Sequence, residues 1–214
     1  MKKVCCFFAI CIVGILALSG CKSTPKVKDV SETPERLEHK GTSWGVEMPE
    51  WVTTVLSTPN QKTLAKALGI DKHIWVVTKS GKNLDFLQTW VDQVDARAEI
   101  AASIKQGVAD FVGAREIGED SEIVEKDIER YSSRAEMVKL SGLNKETDWW
   151  TKTRKRLDKK SDYTEQYDYM VIYSIDEKLY ENQIKEAYKD FDDEIIQELV
   201  EYLKDYTMVK SSDE

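Results

Sequence analysis

An α+β fold, with a mainly antiparallel sheet packed by a long amphipathic helix and closing C-terminal helices, is the class this 214-residue sequence predicts. Three observations carry it. Leu87, Val91, Val94, Ala98, Ala101, Val108 and Val112 recur at helical spacing and form one apolar stripe. Residues 167–175 place Tyr167, Tyr169, Val171, Tyr173 and Ile175 at alternate positions, the period of a strand with one buried face. The succession of strand, long helix, several strands and closing helices segregates the two kinds of element, as an α+β domain does.

The chain opens on Met1-Lys2-Lys3, an apolar run over residues 4–18, and small residues before Cys21. Cationic start, apolar stretch and small residues before a cut are what export machinery reads, and the run is short of the roughly 20 residues that cross a bilayer. Leu18-Ser19-Gly20-Cys21 resembles the lipobox of bacterial lipoproteins. That resemblance implies a signal peptide over residues 1–20, a cut between Gly20 and Cys21, and a Cys21 bearing diacylglycerol and an amide-linked acyl chain such as palmitate. Several chains, at about 0.8 kcal/mol per buried methylene, hold a protein stably to a membrane. The mature chain would face the periplasm from the cell envelope. Lys22, in place of an acidic residue after the cysteine, favours the outer membrane.

Of the four cysteines, Cys5, Cys6 and Cys11 leave with the signal and Cys21 carries lipid. No disulfide or thiolate metal site is then expected, and the domain must rely on its core. The net charge of −8 becomes −10 once Lys2 and Lys3 are lost from the 31 basic residues that face 39 acidic ones. Such a surface repels nucleic acid at long range, and none is expected as a partner.

Residues 21–46, polar and carrying Pro25 and Pro34, read as a lipidated tether, and residues 47–207 as one domain. Met48-Pro49-Glu50-Trp51-Val52 suggests an extended entry, because the residue before proline avoids the helical region. Leu64, Ala67 and Leu68 share a helix face that Gly69 stops, and Ile74-Trp75-Val76-Val77-Thr78 is a strand closed by Ser80-Gly81. Asn83 caps the long helix, which Gly107 is expected to weaken or kink and Gly113 to end. A polar helix over residues 121–133 turns Ile123, Ile128 and Tyr131 inward. Residues 137–143 read as a strand, with residues 147–156 as its hairpin partner. Asp176 caps a helix carrying Leu179, Tyr180, Ile184, Ala187, Tyr188 and Phe191; after Asp192-Asp193-Glu194 a last helix carries Ile195, Ile196, Leu199, Val200 and Leu203. Residues 208–214 are expected to be a frayed tail.

Several stretches together resemble the twenty-kilodalton bacterial outer-membrane lipoprotein family, whose domain also occurs in flagellar accessory proteins. They are the lipobox, Pro49 and Trp51, the strand before Gly81, Ala96-Arg97-Ala98-Glu99-Ile100-Ala101, Leu140-Ser141-Gly142 and the Tyr-rich strand. The resemblance implies fold and location and supplies no catalytic residues. Trp75-Val76-Val77-Thr78, where that family commonly closes the strand with glycine, is a departure.

No catalytic set emerges. His39 and His73 lack spaced partners and read as surface histidines, and neither a phosphate loop nor a nucleophile elbow is present. Arg97 reads as a snorkelling or ion-paired side chain beside the stripe, and the acidic run 119–129 as a solvated face. The strongest local constellation is Trp149-Trp150 followed by Lys152, Arg154, Lys155 and Arg156, with Lys159 and Lys160 beyond. On a strand the two tryptophans point to opposite faces, so one is expected in the core and the other against solvent or another element. The cations suit anionic headgroups or an acidic envelope polymer, or simply guard a solvated hairpin edge. The expected function is therefore a non-catalytic structural or protein-interaction role at the membrane, with an envelope protein as partner. The alternative is a module binding envelope polymer or anionic lipid through the hairpin. No cofactor is expected besides the lipid on Cys21.

Overall fold

In the computed structural model the sheet is built around its longest strands, and the described residues are 34–57, 60–116, 121–156, 163–206 and 208–210. Strands β3 (Asn144–Arg156) and β4 (Tyr163–Ile175) form an antiparallel hairpin in which Trp149 pairs with Met170 and Arg156 with Tyr163. Strand β2 (His73–Gly81) lies antiparallel on the other side of β4, from His73↔Ile175 to Gly81↔Tyr167. Two short strands finish the edges. β1 (Glu35–His39) is antiparallel to β3, and β5 (Met208–Lys210) is parallel to β2, giving the order β1-β3-β4-β2-β5. The fold is α+β, as expected, with one parallel edge.

Helices cover both faces of this sheet. Helices α1 (Glu50–Ser57) and α2 (Gln61–Leu68) bring Trp51, Val52, Val55 and Leu64 onto Ile74, Val76, Met170 and Ile172. The opposite face takes α3 (Leu84–Gln93), α4 (Ala96–Arg115), α5 (Ser121–Ala135), α6 (Glu177–Ala187) and α7 (Asp193–Lys204), packed on Trp75, Val77, Val171, Tyr173 and Ile175. Neighbouring strand residues thus enter two different cores, which is why Ile74 through Val77 and Tyr169 through Ile175 are buried without interruption. Apolar pattern at the even positions of β4 is real, and α1 and α2 are what cover it.

The local structure corrects several expectations. Residues 35–39, expected in the tether, are a sheet strand, and residues 208–210, expected in the tail, are another. Pro49 starts a helix where an extended entry is expected: its carbonyl accepts from Val52 N at 3.1 Å, the position where a proline's missing N–H costs nothing. The long helix is two. Val94 takes φ −60 and ψ 127, and the Asp95 carboxylate accepts from the N–H groups of Arg97 and Ala98 to begin α4. Helix α4 continues through Gly107 and runs past Gly113 to Arg115. Residues 137–143 are not a strand: Leu140 takes φ 49 and Gly142 φ 86, and Leu143 N donates to Leu140 O. The hairpin partner of β3 is consequently β4. On α5 Tyr131 is buried, whereas Ile123 is exposed. Asn60, Asn83, Asp176 and Asp192 each cap the helix that follows, three of them as the sequence predicts or its acidic start suggests.

Candidate functional site

The β3–β4 hairpin carries the sequence's main candidate residues, and its ladder decides where each points. Trp149 joins the core beneath α1 and α2, its ring 5.8 Å from and stacked on His39. Trp150 packs on the opposite core and meets Tyr167 edge-on at 5.6 Å. Both tryptophans are thus half-buried, on opposite faces, because both faces of the sheet are covered.

Two of the cations beside them are already engaged. Lys152 lies 3.1 Å from Glu165 and 3.7 Å from Glu38, with its ammonium over the Tyr167 ring at 5.5 Å. Arg154 reaches Glu35 at 2.6 Å and stacks over Tyr163 at 4.7 Å. The hydrogen bond to Glu165 raises the Lys152 pKa, and that to Glu35 raises the Arg154 pKa, so both stay charged and paired. Lys155 is exposed, and Arg156 closes the ladder opposite Tyr163. Gly20, Cys21, Lys159 and Lys160 lie outside the described residues.

Further along β3, Asp148 gathers Lys40 at 2.6 Å, Lys145 at 3.3 Å and the Tyr169 hydroxyl, which donates at 3.0 Å. Burial would raise the Asp148 pKa, but the hydrogen bond and charge of Lys40, with Tyr169 and Lys145, bring it below the usual range. Tyr169 is pushed up by burial and by that carboxylate. Glu146 accepts from Ser174 and from Lys72 at 2.9 Å, and these two hydrogen bonds lower its pKa. Asp168 accepts from Ser80 at 2.6 Å, Gln166 at 2.9 Å and Thr153 at 3.0 Å. Each carboxylate ties its own strand to a neighbouring strand or the segment leading into one, which is the arrangement of a sheet cross-brace.

His73 corrects its reading as a surface histidine, since only 1% of it is exposed. Its ring stacks on Tyr180 at 4.5 Å and meets Trp75 edge-on at 4.3 Å. Burial pushes its pKa down to about 3, against a hydrogen bond to the Tyr206 backbone and with the help of the Lys204 charge. His73 Nε2, Trp75 Nε1 and the Tyr180 hydroxyl are all buried without hydrogen-bond partners. The signal that could have placed His73 inside is its spacing of two from Trp75 on one strand. His39, expected in the tether, follows β1 into contact with Trp149, and Arg97 is exposed on the first turn of α4.

A groove of about 460 Å³ runs between α4 and α5, lined by Ala102, Ala109, Ile128, Ser132, Gln106, Glu125, Glu129 and Lys105, the last paired with Glu136 at 3.1 Å. The buried Ser132 hydroxyl has no partner, and neither Glu125 nor Glu129 makes an ion pair among the described residues. Among the described residues no group of three or more His, Cys, Asp or Glu side chains could hold a metal ion, and no helix is long and apolar enough to cross a membrane. Comparison with family models, with curated proteins and with solved structures finds no match.

Proposed function

We propose that this chain is a lipoprotein of the bacterial cell envelope, anchored through Cys21, whose domain has a non-catalytic role in binding another envelope protein. The observation that carries it is the terminal pattern of Lys2-Lys3, the apolar run 4–18 and Leu18-Ser19-Gly20-Cys21. The hairpin supports an interaction role over a polyanion-binding one, because Lys152 and Arg154 already neutralise Glu38, Glu165 and Glu35. Displacing those carboxylates would cost the ligand part of its own attraction.

The α4–α5 groove is the surface best suited to a partner. Its small apolar floor admits a close-packed side chain, and its unpaired Glu125 and Glu129 favour a basic segment. The test is a photo-crosslinker placed at Ala109 in intact cells, with the same group at exposed Lys178 as control. A discrete protein adduct from Ala109 alone is expected. Adducts from neither position, with the mature N-terminus unacylated by mass spectrometry, would overturn the reading.

A further inference from the structure

We infer that the 3-10 turn Thr42–Trp44 is a membrane-docking contact, which lays the Trp44 indole into the polar–apolar interface of a bilayer. The inference rests on the anchoring proposed above. Trp44 is 86% exposed, the most exposed of the large apolar side chains among the described residues. Yet the turn that displays it is tightly built. Gly41 and Gly45 take φ 95 and 66, Trp44 N donates to Gly41 O at 2.9 Å, Val46 N to the same oxygen at 3.1 Å, and His39 N to Thr42 Oγ1 at 2.8 Å. A Cβ at Gly41 would stand 2.9 Å from Val46 Cβ, so only glycine permits this closure.

Both ends of the turn are fixed. On one side Lys40 N donates to Trp150 O at 3.0 Å, and on the other α1 begins six residues after Trp44. A large ring held out by a fixed backbone loses little freedom when it binds. Tryptophan is the side chain that settles at the headgroup level, with an apolar body and one N–H donor. Val46, half-exposed two residues on, extends the apolar surface.

Charge selects the surface. Glu47 and Glu50 follow the turn, Lys40 before it is committed to Asp148, and Arg36, whose guanidinium donates to Met48 Sδ at 3.4 Å, is outnumbered by the two carboxylates. Anionic headgroups would be repelled, so the contact suits a zwitterionic interface and should be insensitive to salt. Distance permits it. Thr33 lies twelve positions after Cys21, a stretch that spans at most about 40 Å. Strand β1 carries the chain on by only about 3.3 Å per residue. A chain tied this closely meets the bilayer at high effective concentration, where one indole is enough to bias its orientation.

Full-length protein, reconstituted into phosphatidylcholine vesicles whose acyl chains are brominated near the headgroup, tests this through tryptophan quenching. The expected result is a quenched component that Trp44→Phe abolishes, while 0.5 M salt (a value on the order of strong screening) and Arg154→Ala leave it unchanged. Flotation of the same samples reports the anchor separately. Protein that floats with Trp44 unquenched overturns the docking inference and leaves the anchor standing, consistent with a turn reserved for a protein. Quenching lost in salt reassigns the contact to basic residues and also overturns it. Protein that fails to float overturns the anchor and the docking contact together.

Discussion

At the scale of single residues, His73 gives the sharpest expectation. Its neutral ring is enclosed by Trp75 and Tyr180, with the Tyr206 backbone as partner and the Lys204 charge nearby. Unfolded chains protonate histidine near pH 6.5, whereas the folded ring resists protonation down to about 3. The unfolded state therefore binds the extra proton, and stability is lost as pH falls below 6.5, by about 1.4 kcal/mol per unit. Glu146 and Asp148, whose carboxyls lie below their usual range, add their own loss only at more acid pH, below about 4. Urea unfolding at pH 7 and pH 5 should show this loss in the wild type and not in His73→Phe, which keeps a ring in the stack. Equal losses in both proteins would remove His73 as the cause. Locally, only the spacing of two from Trp75 marks His73 as inward-facing, because Tyr180, the ring that stacks on it, lies more than a hundred positions later. Gly107 makes a second test. A Cβ there would lie 2.9 Å from Leu203 Cδ2 and 3.1 Å from the Tyr206 ring, so Gly107→Ala should destabilise by about 1–3 kcal/mol despite alanine's better helix propensity. A denaturation midpoint at or above wild type would show that α7 yields.

At the scale of elements, what the sequence makes legible is periodicity, and what it hides is where the backbone turns. The stripe from Leu87 to Val112 is correct at its two ends, where Leu87, Val91, Val108 and Val112 enter one core, but not in its middle, where Ala98 is exposed and Ala96, Ile100 and Ile104 are buried instead. The break inside it rests on Asp95, whose carboxylate caps α4 while Val94 is extended. An aspartate within a polar face reads equally well as a solvated helix residue, so the cap is visible only with the backbone. Asp95→Ala should cost about 1 kcal/mol in thermal or chemical unfolding, as cap removal does, and a stability equal to wild type would mean that α3 and α4 hold their junction by packing alone. Residues 137–143 differ from a strand for a related reason. Their apolar positions suit a strand, but Leu140 and Gly142 both take positive φ, and the buried Leu140 is held by a turn. The period-two reading of β4 caught one face. Its other face, where Met170 and Ile172 interleave with the aromatic series, is buried as well, because α1 and α2 cover it.

At the scale of the whole molecule, the candidate hairpin shows how cations that look free in sequence can be paired in space, as Lys152 and Arg154 are. Glu35 and Glu38 come from β1 and Glu165 from β4, so the counter-charges are distant along the chain and adjacent across the ladder. If those pairs are what silence the hairpin, the triple variant Glu35→Gln, Glu38→Gln, Glu165→Gln should acquire salt-sensitive binding to anionic vesicles that the wild type lacks. A wild type that already binds such vesicles in a salt-sensitive way would revive the polyanion reading. The order β1-β3-β4-β2-β5 has one more effect, on time. Pairs in the middle of the sheet, Gly81↔Tyr167 and His73↔Ile175, join positions 86 and 102 apart, and the parallel edge joins Val76 to Met208. The β3–β4 hairpin pairs locally, but β2 cannot find either neighbour until β4 and β5 are available, which places folding in the slow, high-contact-order regime of roughly milliseconds to seconds. Such a chain stays open for as long as β4 and β5 are withheld, so the sheet topology itself makes β2 wait for segments made long after it.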